Sequence, residues 1–223
     1  MNKPSKLQTY INLVYAKNQV MNLTGFATKA EIEQQGVNDS LSAFAGLLAL
    51  VQAKNWNKIK LLDIGAGAGF PSIPLLINHS ELIELTAVES LTKRCEFLKE
   101  VATQCELDFI IINDRVENIK NQNATFDFIT ARAVATITKI YLMAHHLLKE
   151  GGYFYLLKGE HYQADLAEFF SFFPDAQAHT KVLTYQNSQG ANSHIILIQK
   201  MEPSPRHWPL RWKQILDFVT QKK

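Results

Sequence analysis

The sequence predicts an α/β protein with seven strands in a mostly parallel sheet, helices on both faces, and a helical cap in front. Three observations carry this. From residue 60 onward, short apolar runs alternate with helical segments, the pattern of a parallel sheet built from strand–helix units. The alternation ends in two strand-like runs with a short, turn-rich joint between them, which reads as an antiparallel hairpin closing the sheet. Before residue 55 only helical periodicity is present.

The elements follow in order. Residues 6–20 place Leu7, Ile11, Val14 and Tyr15 on one helical face, and residues 29–54 do the same with Leu41, Phe44, Leu47, Leu48 and Val51. Between them, Met21 to Phe26 reads as a turn, and Lys54 to Lys60 as a polar linker. The strand-like runs are Lys60–Ile64, Ile83–Val88, Asp108–Ile112, Phe126–Thr130 and Tyr153–Leu157, with helices expected at about 70–78, 91–105, 136–149 and 160–171. The final hairpin is Lys181–Tyr185 and Ser193–Gln199, joined by Gln186 to Gly190. A last helix is expected over 208–220, after Pro203 and Pro205. The chain thus divides into residues 1–55, a helical cap within the same domain; 56–200, the α/β core; and 201–223, a tail helix.

Composition narrows the function classes. A chain of 223 residues, 47% hydrophobic and 20% charged, can bury a substantial core and does not read as disordered. No apolar run reaches membrane-spanning length, and Met1 to Tyr10 has no apolar signal region; a cytoplasmic monomer without membrane contact is expected. Cys95 and Cys105 make neither a disulfide framework nor a metal knuckle and are expected as reduced thiols. His145-His146 has no nearby acid or cysteine to suggest a metal, so packing is the expected role. The net charge of +2 permits a nucleic-acid partner without predicting one.

The sharpest motif is Leu61-Leu62-Asp63-Ile64-Gly65-Ala66-Gly67-Ala68-Gly69-Phe70-Pro71. It follows the first strand and opens a helix, whose free N–H groups suit a carboxylate or phosphate. Its third glycine comes one residue too early for a dinucleotide fingerprint, Phe70 stands where that glycine belongs, and no lysine makes it a phosphate loop. The spacing D-x-G-x-G-x-G resembles the first motif of class I S-adenosylmethionine (SAM)-dependent methyltransferases, a Rossmann-like fold. The second strand ends in Glu89-Ser90, where an acid can hydrogen-bond both ribose hydroxyls of an adenosine.

More of the chain resembles one bacterial family. Asn22-Leu23-Thr24, Asp39-Ser40-Leu41, Asp63 to Pro74, Glu89-Ser90 with Lys93-Arg94 and Phe97-Leu98, Arg115-Val116-Glu117, Phe126-Asp127, Ala131-Arg132-Ala133 and Leu156-Leu157-Lys158-Gly159 are together similar to ribosomal RNA small subunit methyltransferase G, also called glucose-inhibited division protein B. The resemblance implies SAM-dependent methylation of N7 of a guanosine in 16S rRNA, with 16S rRNA or the small ribosomal subunit as partner. By position it implies that Asp63, Gly65, Gly67, Gly69 and Phe70 line the cofactor, Glu89 takes its ribose, Val116 and Glu117 flank its adenine, and Arg132 borders the cofactor and faces the transfer site as the catalytic residue. The chain departs from the family at Gln35-Gly36-Val37-Asn38, where an Arg-His pair usually precedes the Asp-Ser pair. It departs again at Met201 to Leu210, which is poorer in Lys, Gly and Pro.

Basic residues that suit RNA are Lys93, Arg94, Arg115, Arg132, Lys139 and Lys158, with Arg206, Arg211 and Lys213 in the tail. Trp208 and Trp212 stand among the last three and can stack on bases, or pack on the core with Ile215 and Phe218. A small-molecule methyltransferase and a non-catalytic SAM-binding protein are the competing readings, because fold does not fix function. No cysteine nucleophile or Asp–His pair is evident near the loop to serve as a base, which suits methylation at a ring nitrogen that carries no proton.

Overall fold

In the computed structural model, which describes residues 4–220, the runs rich in Ile, Leu and Val form central strands largely buried on both faces, as a doubly covered parallel sheet requires, while the edge strands Ile110–Ile112 and Thr180–Gln186 are partly exposed. The strands are β1 (Ile59–Ile64), β2 (Ile83–Val88), β3 (Ile110–Ile112), β4 (Phe126–Arg132), β5 (Leu148–Lys158), β6 (Thr180–Gln186) and β7 (Asn192–Gln199). They lie in the order β3-β2-β1-β4-β5-β7-β6. All neighbours are parallel except β7, which runs antiparallel to both β5 and β6. The order reverses between β1 and β4, and the crevice at the carboxyl ends of strands at such a switch point is where ligands bind in open α/β sheets.

Each face carries its own core. Helices α1 (Lys6–Asn18), α3 (Asp39–Ala53), α4 (Ser72–Asn78) and α5 (Thr92–Gln104) bury Tyr10, Phe44, Leu75 and Phe97 against Leu61, Leu85, Phe128 and Tyr155. On the other face, α6 (Ile137–Ala144), α7 (Tyr162–Phe172) and α8 (Trp212–Thr220) bury Ile140, Phe169 and Ile215 against Leu62, Ile129, Phe154 and Ile196.

Three segments differ from the sequence expectation, each for a local reason. The single helix expected over 29–54 is one α-helical turn, α2 (Lys29–Glu31), then a π-helical stretch Ile32–Asn38, then α3. Within it the Ser40 hydroxyl turns back to donate to the Gly36 carbonyl at 2.5 Å, a bond that competes with the helix ladder. The helix expected to run to 149 stops at Ala144. His145–Leu147 is a 3-10 turn and β5 begins at Leu148, because the register shifts between Phe126 and Phe128 and Gly151, at φ 78°, absorbs the extra residues. The tail helix begins at Trp212 rather than at 208.

The tail makes a long return. Antiparallel β7 ends with Gln199 beside Tyr153, at the amino edge of the sheet. Lys200 anchors the chain there: its buried ammonium donates to the carbonyls of His145 (2.9 Å) and Leu148 (2.7 Å) and to the Ser204 hydroxyl (3.2 Å), which uses all three of its protons. The strap then climbs the second face, with Trp208 edge-on to Tyr141 and His145, and delivers Trp212 to the carboxyl edge.

Candidate functional site

Gly65, Gly67 and Gly69 have φ of 66°, 56° and 99°, a region that glycine enters without the cost a side chain brings. Space is also short: a Cβ on Gly65 would lie 2.7 Å from Val134 Cγ2, and one on Gly69 2.5 Å from Ile73 Cγ1. The loop is tied to β2 by Gly65 and Ala66 N–H donating to the Val88 carbonyl. From the other side, the Tyr10 hydroxyl of α1 donates to the Ala68 carbonyl at 2.8 Å. Phe70 lies edge-on to Tyr10 and Phe26. A Cβ on Gly36 would stand 2.5 Å from Phe70 Cζ, so the position that departs from the family's Arg-His pair is the seat of the Phe70 ring.

Glu89 is buried, yet its carboxylate is fully directed. Oε2 accepts from Gly67 N–H at 3.0 Å and Oε1 from Leu91 N–H at 2.9 Å, with Arg94 Nη1 3.9 Å from Oε2. Each oxygen keeps a lone pair, so the group can still accept a pair of hydroxyls. Asp63, one strand away, accepts from the Ser72 hydroxyl. Its other oxygen, Oδ1, is buried with no hydrogen-bond partner among the described residues. Burial pushes the Asp63 carboxyl up to about 7, against the opposing Ser72 bond and with help from the Glu89 charge.

Beside the loop, a cavity of about 240 Å³ opens at the carboxyl ends of β1 and β2, with Gly65, Ser90, Val116, Glu117, Met143 and Trp212 among its walls. The Arg115 guanidinium spans its rim, with Nε 2.5 Å from Glu117 Oε1 and its carbon 4.7 Å from the Trp212 ring centre. The larger cavity, about 690 Å³, lies at the opposite, amino edge among Lys58, Glu84 and Phe126. It is remote from the glycine loop, and volume alone does not make it the site of chemistry.

Arg132 ends β4 and is half-buried. It makes no hydrogen bond or ion pair among the described residues, while its charge is felt by Tyr10 and Tyr185. The next residue, Ala133, sits at φ 58°, a left-handed conformation that costs a non-glycine residue roughly 1–2 kcal/mol. Backbone strain of this kind clusters at functional sites. Cys95 lies beside Glu89 but is no nucleophile, in keeping with the sequence expectation. Its thiol is buried, donates to the Glu89 carbonyl at 3.2 Å and is pushed up by burial, so it stays protonated and inert as a nucleophile.

The other expected residues separate into groups. Lys93 is exposed, as are Arg206, Arg211 and Lys213. Lys158 is engaged by the structure: its ammonium pairs with Asp165 at 2.7 Å and donates to the Ala135 carbonyl, which leaves it poorly placed for RNA. Lys139 lies over the Trp212 ring at 6.0 Å. His145 bonds Ser204 and His146 bonds the Ile119 carbonyl, a packing role, with burial pushing His145 down to about 3. Asp39 accepts from Ser188 N–H in the β6–β7 hairpin, so with Ser40 the Asp-Ser pair holds backbone. Trp208, Trp212 and Phe218 pack on the second core beside the buried Ile215. The residues that sequence reasoning missed are Tyr10, Ser72 and the pocket role of Trp212.

This geometry agrees with what related chains are. The family model for rRNA small subunit methyltransferase G matches residues 3–195. The chain belongs to this family. The ribosomal RNA small subunit methyltransferase G of Mesomycoplasma hyopneumoniae strain J is 45% identical over 134 residues, which cover 60% of this chain and 64% of that one; the match thus spans just under two thirds of that relative's length. The protein of the same name from Lactococcus lactis subsp. cremoris strain SK11 is 31% identical over 92% of this chain and 85% of its own. Among solved structures, an O-methyltransferase from Bacillus cereus in complex with SAH superposes with a TM-score of 0.60 at 18% identity, over 90% of this chain and 93% of that one. The Thermus thermophilus 16S rRNA N2 G1207 methyltransferase, in complex with AdoMet and guanosine, gives 0.52 at 20% identity, over 73% and 43%. At those identities the likeness is one of fold.

Proposed function

We propose that this chain is a SAM-dependent methyltransferase acting on N7 of a guanosine in 16S rRNA, in the cytoplasm and as a monomer, with residues 1–55 as a cap over the acceptor side. The observation that carries the reading is the directed Glu89 carboxylate, fixed by the Gly67 N–H of a loop with three left-handed glycines, at the switch point of the sheet of a methyltransferase G family member.

The residues fit the cofactor. Glu89 would accept the two ribose hydroxyls, the unpartnered Asp63 Oδ1 would accept from an ammonium group, whose positive charge favours the ionised carboxylate, Gly65, Gly67, Gly69 and Phe70 would form the backbone cradle, and Val116 and Glu117 border the cavity for the adenine. When bound, SAM supplies a methyl group made transferable by its sulfonium. Guanine N7 carries an in-plane lone pair and no proton, so no residue has to act as a base. The chain's work is positioning, which alone can account for several kcal/mol of a barrier. Arg132 keeps its proton at any working pH; it donates to the guanine edge or a phosphate from the end of β4. The exposed Lys93, Arg206, Arg211 and Lys213 offer phosphate contacts.

The test is methyl transfer from tritiated SAM to small ribosomal subunits or 16S rRNA, followed by borohydride and aniline treatment, which cleaves RNA at N7-methylguanosine. Label in RNA with strand cleavage is expected. Label confined to small molecules, binding without transfer, or labelled RNA that resists cleavage refutes the reading.

A further inference from the structure

We propose that Trp212, from the C-terminal helix, is one wall of the adenine pocket, so that the tail is part of the cofactor site. This rests on the assignment of Glu89 to the cofactor ribose and extends it to a residue far away in sequence.

The cavity beside the glycine loop is lined by Ser90, the residue after Glu89, together with Val116 and Trp212. A purine has two apolar faces and a polar edge. Val88, Val116 and Met143 give the cavity an apolar interior, and Ser90, Asp114 and Arg115 give it a polar rim. The ring that faces this space is held in place. α8 is pinned to the second core by Ile215 and Val219, both buried. Arg115 lies 4.7 Å from the Trp212 ring centre and Lys139 6.0 Å from it, and Arg115 is itself fixed by Glu117. Two cations near an indole are attracted to its π system, and they help hold the ring where it lines the cavity. The match to the family model ends at residue 195, so this wall comes from a part of the chain that the match does not cover. An indole beside a nucleobase stacks with it, an interaction sequence-tolerant in bases and strong in aromatics.

The chain holds three tryptophans, and Trp56 and Trp208 pack elsewhere. In the full-length variant Trp56→Phe/Trp208→Phe, emission therefore reports Trp212 alone. Titration with S-adenosylhomocysteine should change that emission saturably, with a midpoint equal to the calorimetric Kd. Trp212→Leu should weaken binding by about 5- to 100-fold, and Trp212→Phe by much less, because a ring remains to stack. Saturable heat with unchanged Trp212 emission overturns the proposal, as does wild-type affinity in Trp212→Leu. If the double variant or Trp212→Leu fails to fold, the difference in emission change between wild type and Trp212→Phe gives the same answer. Glu89→Ala separates the two ideas. Weakened binding in Glu89→Ala with full affinity in Trp212→Leu overturns the tail wall and leaves the ribose assignment standing. The reverse pattern overturns the ribose assignment and leaves the wall.

Discussion

Glu89→Gln is the substitution whose consequences the structure specifies most closely. It keeps the shape of the side chain and removes only the charge and one acceptor. The native carboxylate takes Gly67 N–H on one oxygen and Leu91 N–H on the other. An amide can accept from one of them and must turn its own N–H groups toward the other. A hydrogen bond to a charged group contributes roughly 1.5–3 kcal/mol and a neutral one about 0.5–1.5. One bond is lost and the other is weakened, while the part-buried Leu91 N–H recovers some of its loss from water. The net cost is about 2–3 kcal/mol, which for a domain of this size lowers Tm by roughly 4–12 °C. The same change removes one of two acceptors for the ribose, so affinity for SAM should fall about tenfold, and Glu89→Ala should fall roughly 10- to 100-fold. Scanning calorimetry gives the first number and titration calorimetry the second. A Glu89→Gln protein with the Tm and SAM affinity of the wild type would falsify the role assigned to this carboxylate.

Three further expectations rest on separate features. Asp63 holds its proton in the folded state up to about pH 7 and releases it near the ordinary carboxylate value when unfolded. Its contribution is therefore complete below about pH 4 and is lost as pH rises toward 7, with a slope of up to about 1.4 kcal/mol per unit; denaturant titrations should show Asp63→Asn gaining on the wild type across that window, and parallel curves would refute it. Gly36→Ala drives a methyl group against Phe70 and should cost about 1–2 kcal/mol after the helix-propensity gain is counted; adding Phe70→Leu should recover most of it in a double-mutant cycle, and simple additivity would show that the two do not touch. Arg132→Ala should cut single-turnover methylation of RNA about 10- to 100-fold while leaving SAM affinity nearly unchanged, and at saturating SAM the wild-type rate should stay level from about pH 6 to 9; a rate that climbs steeply with pH means a general base exists.

Much of this molecule can be read from local pattern. β1, β2 and β7 begin and end within a residue of the apolar runs that predict them, because the covered stretch of a strand in such a sheet is mostly apolar. The glycine loop and Glu89 are equally visible, since a loop that needs left-handed backbone at three spaced positions can be built from little else. What escapes is set by contacts between distant parts. The π-helical stretch before α3 is invisible because apolar spacing does not distinguish it from an α-helix; it shows only in the Ser40–Gly36 bond and the seat for Phe70. The early start of β5 depends on a bulge at Gly151, so the two histidines leave the helix their neighbours suggest. Lys158 looks like an RNA contact until Asp165, on another element, is seen to take it. Trp212 packs on the second core, as its sequence setting suggests; that it also lines the cavity at the carboxyl edge depends on the path of the strap.

That path has a consequence for the order in which the protein comes into being. A polypeptide is made from its amino end, and the glycine loop, Glu89 and the Val116 side of the pocket all precede residue 120. The wall offered by α8 is made some ninety residues later, and it can arrive only after antiparallel β7 has docked and the strap anchored at Lys200 has crossed the sheet. On the proposed assignment, a nascent chain therefore carries most of its nucleoside site well before it can close it. With α8 as the proposed wall of the adenine pocket, tight capture of the cofactor becomes a late event in biogenesis, one that reports that the whole sheet has been assembled.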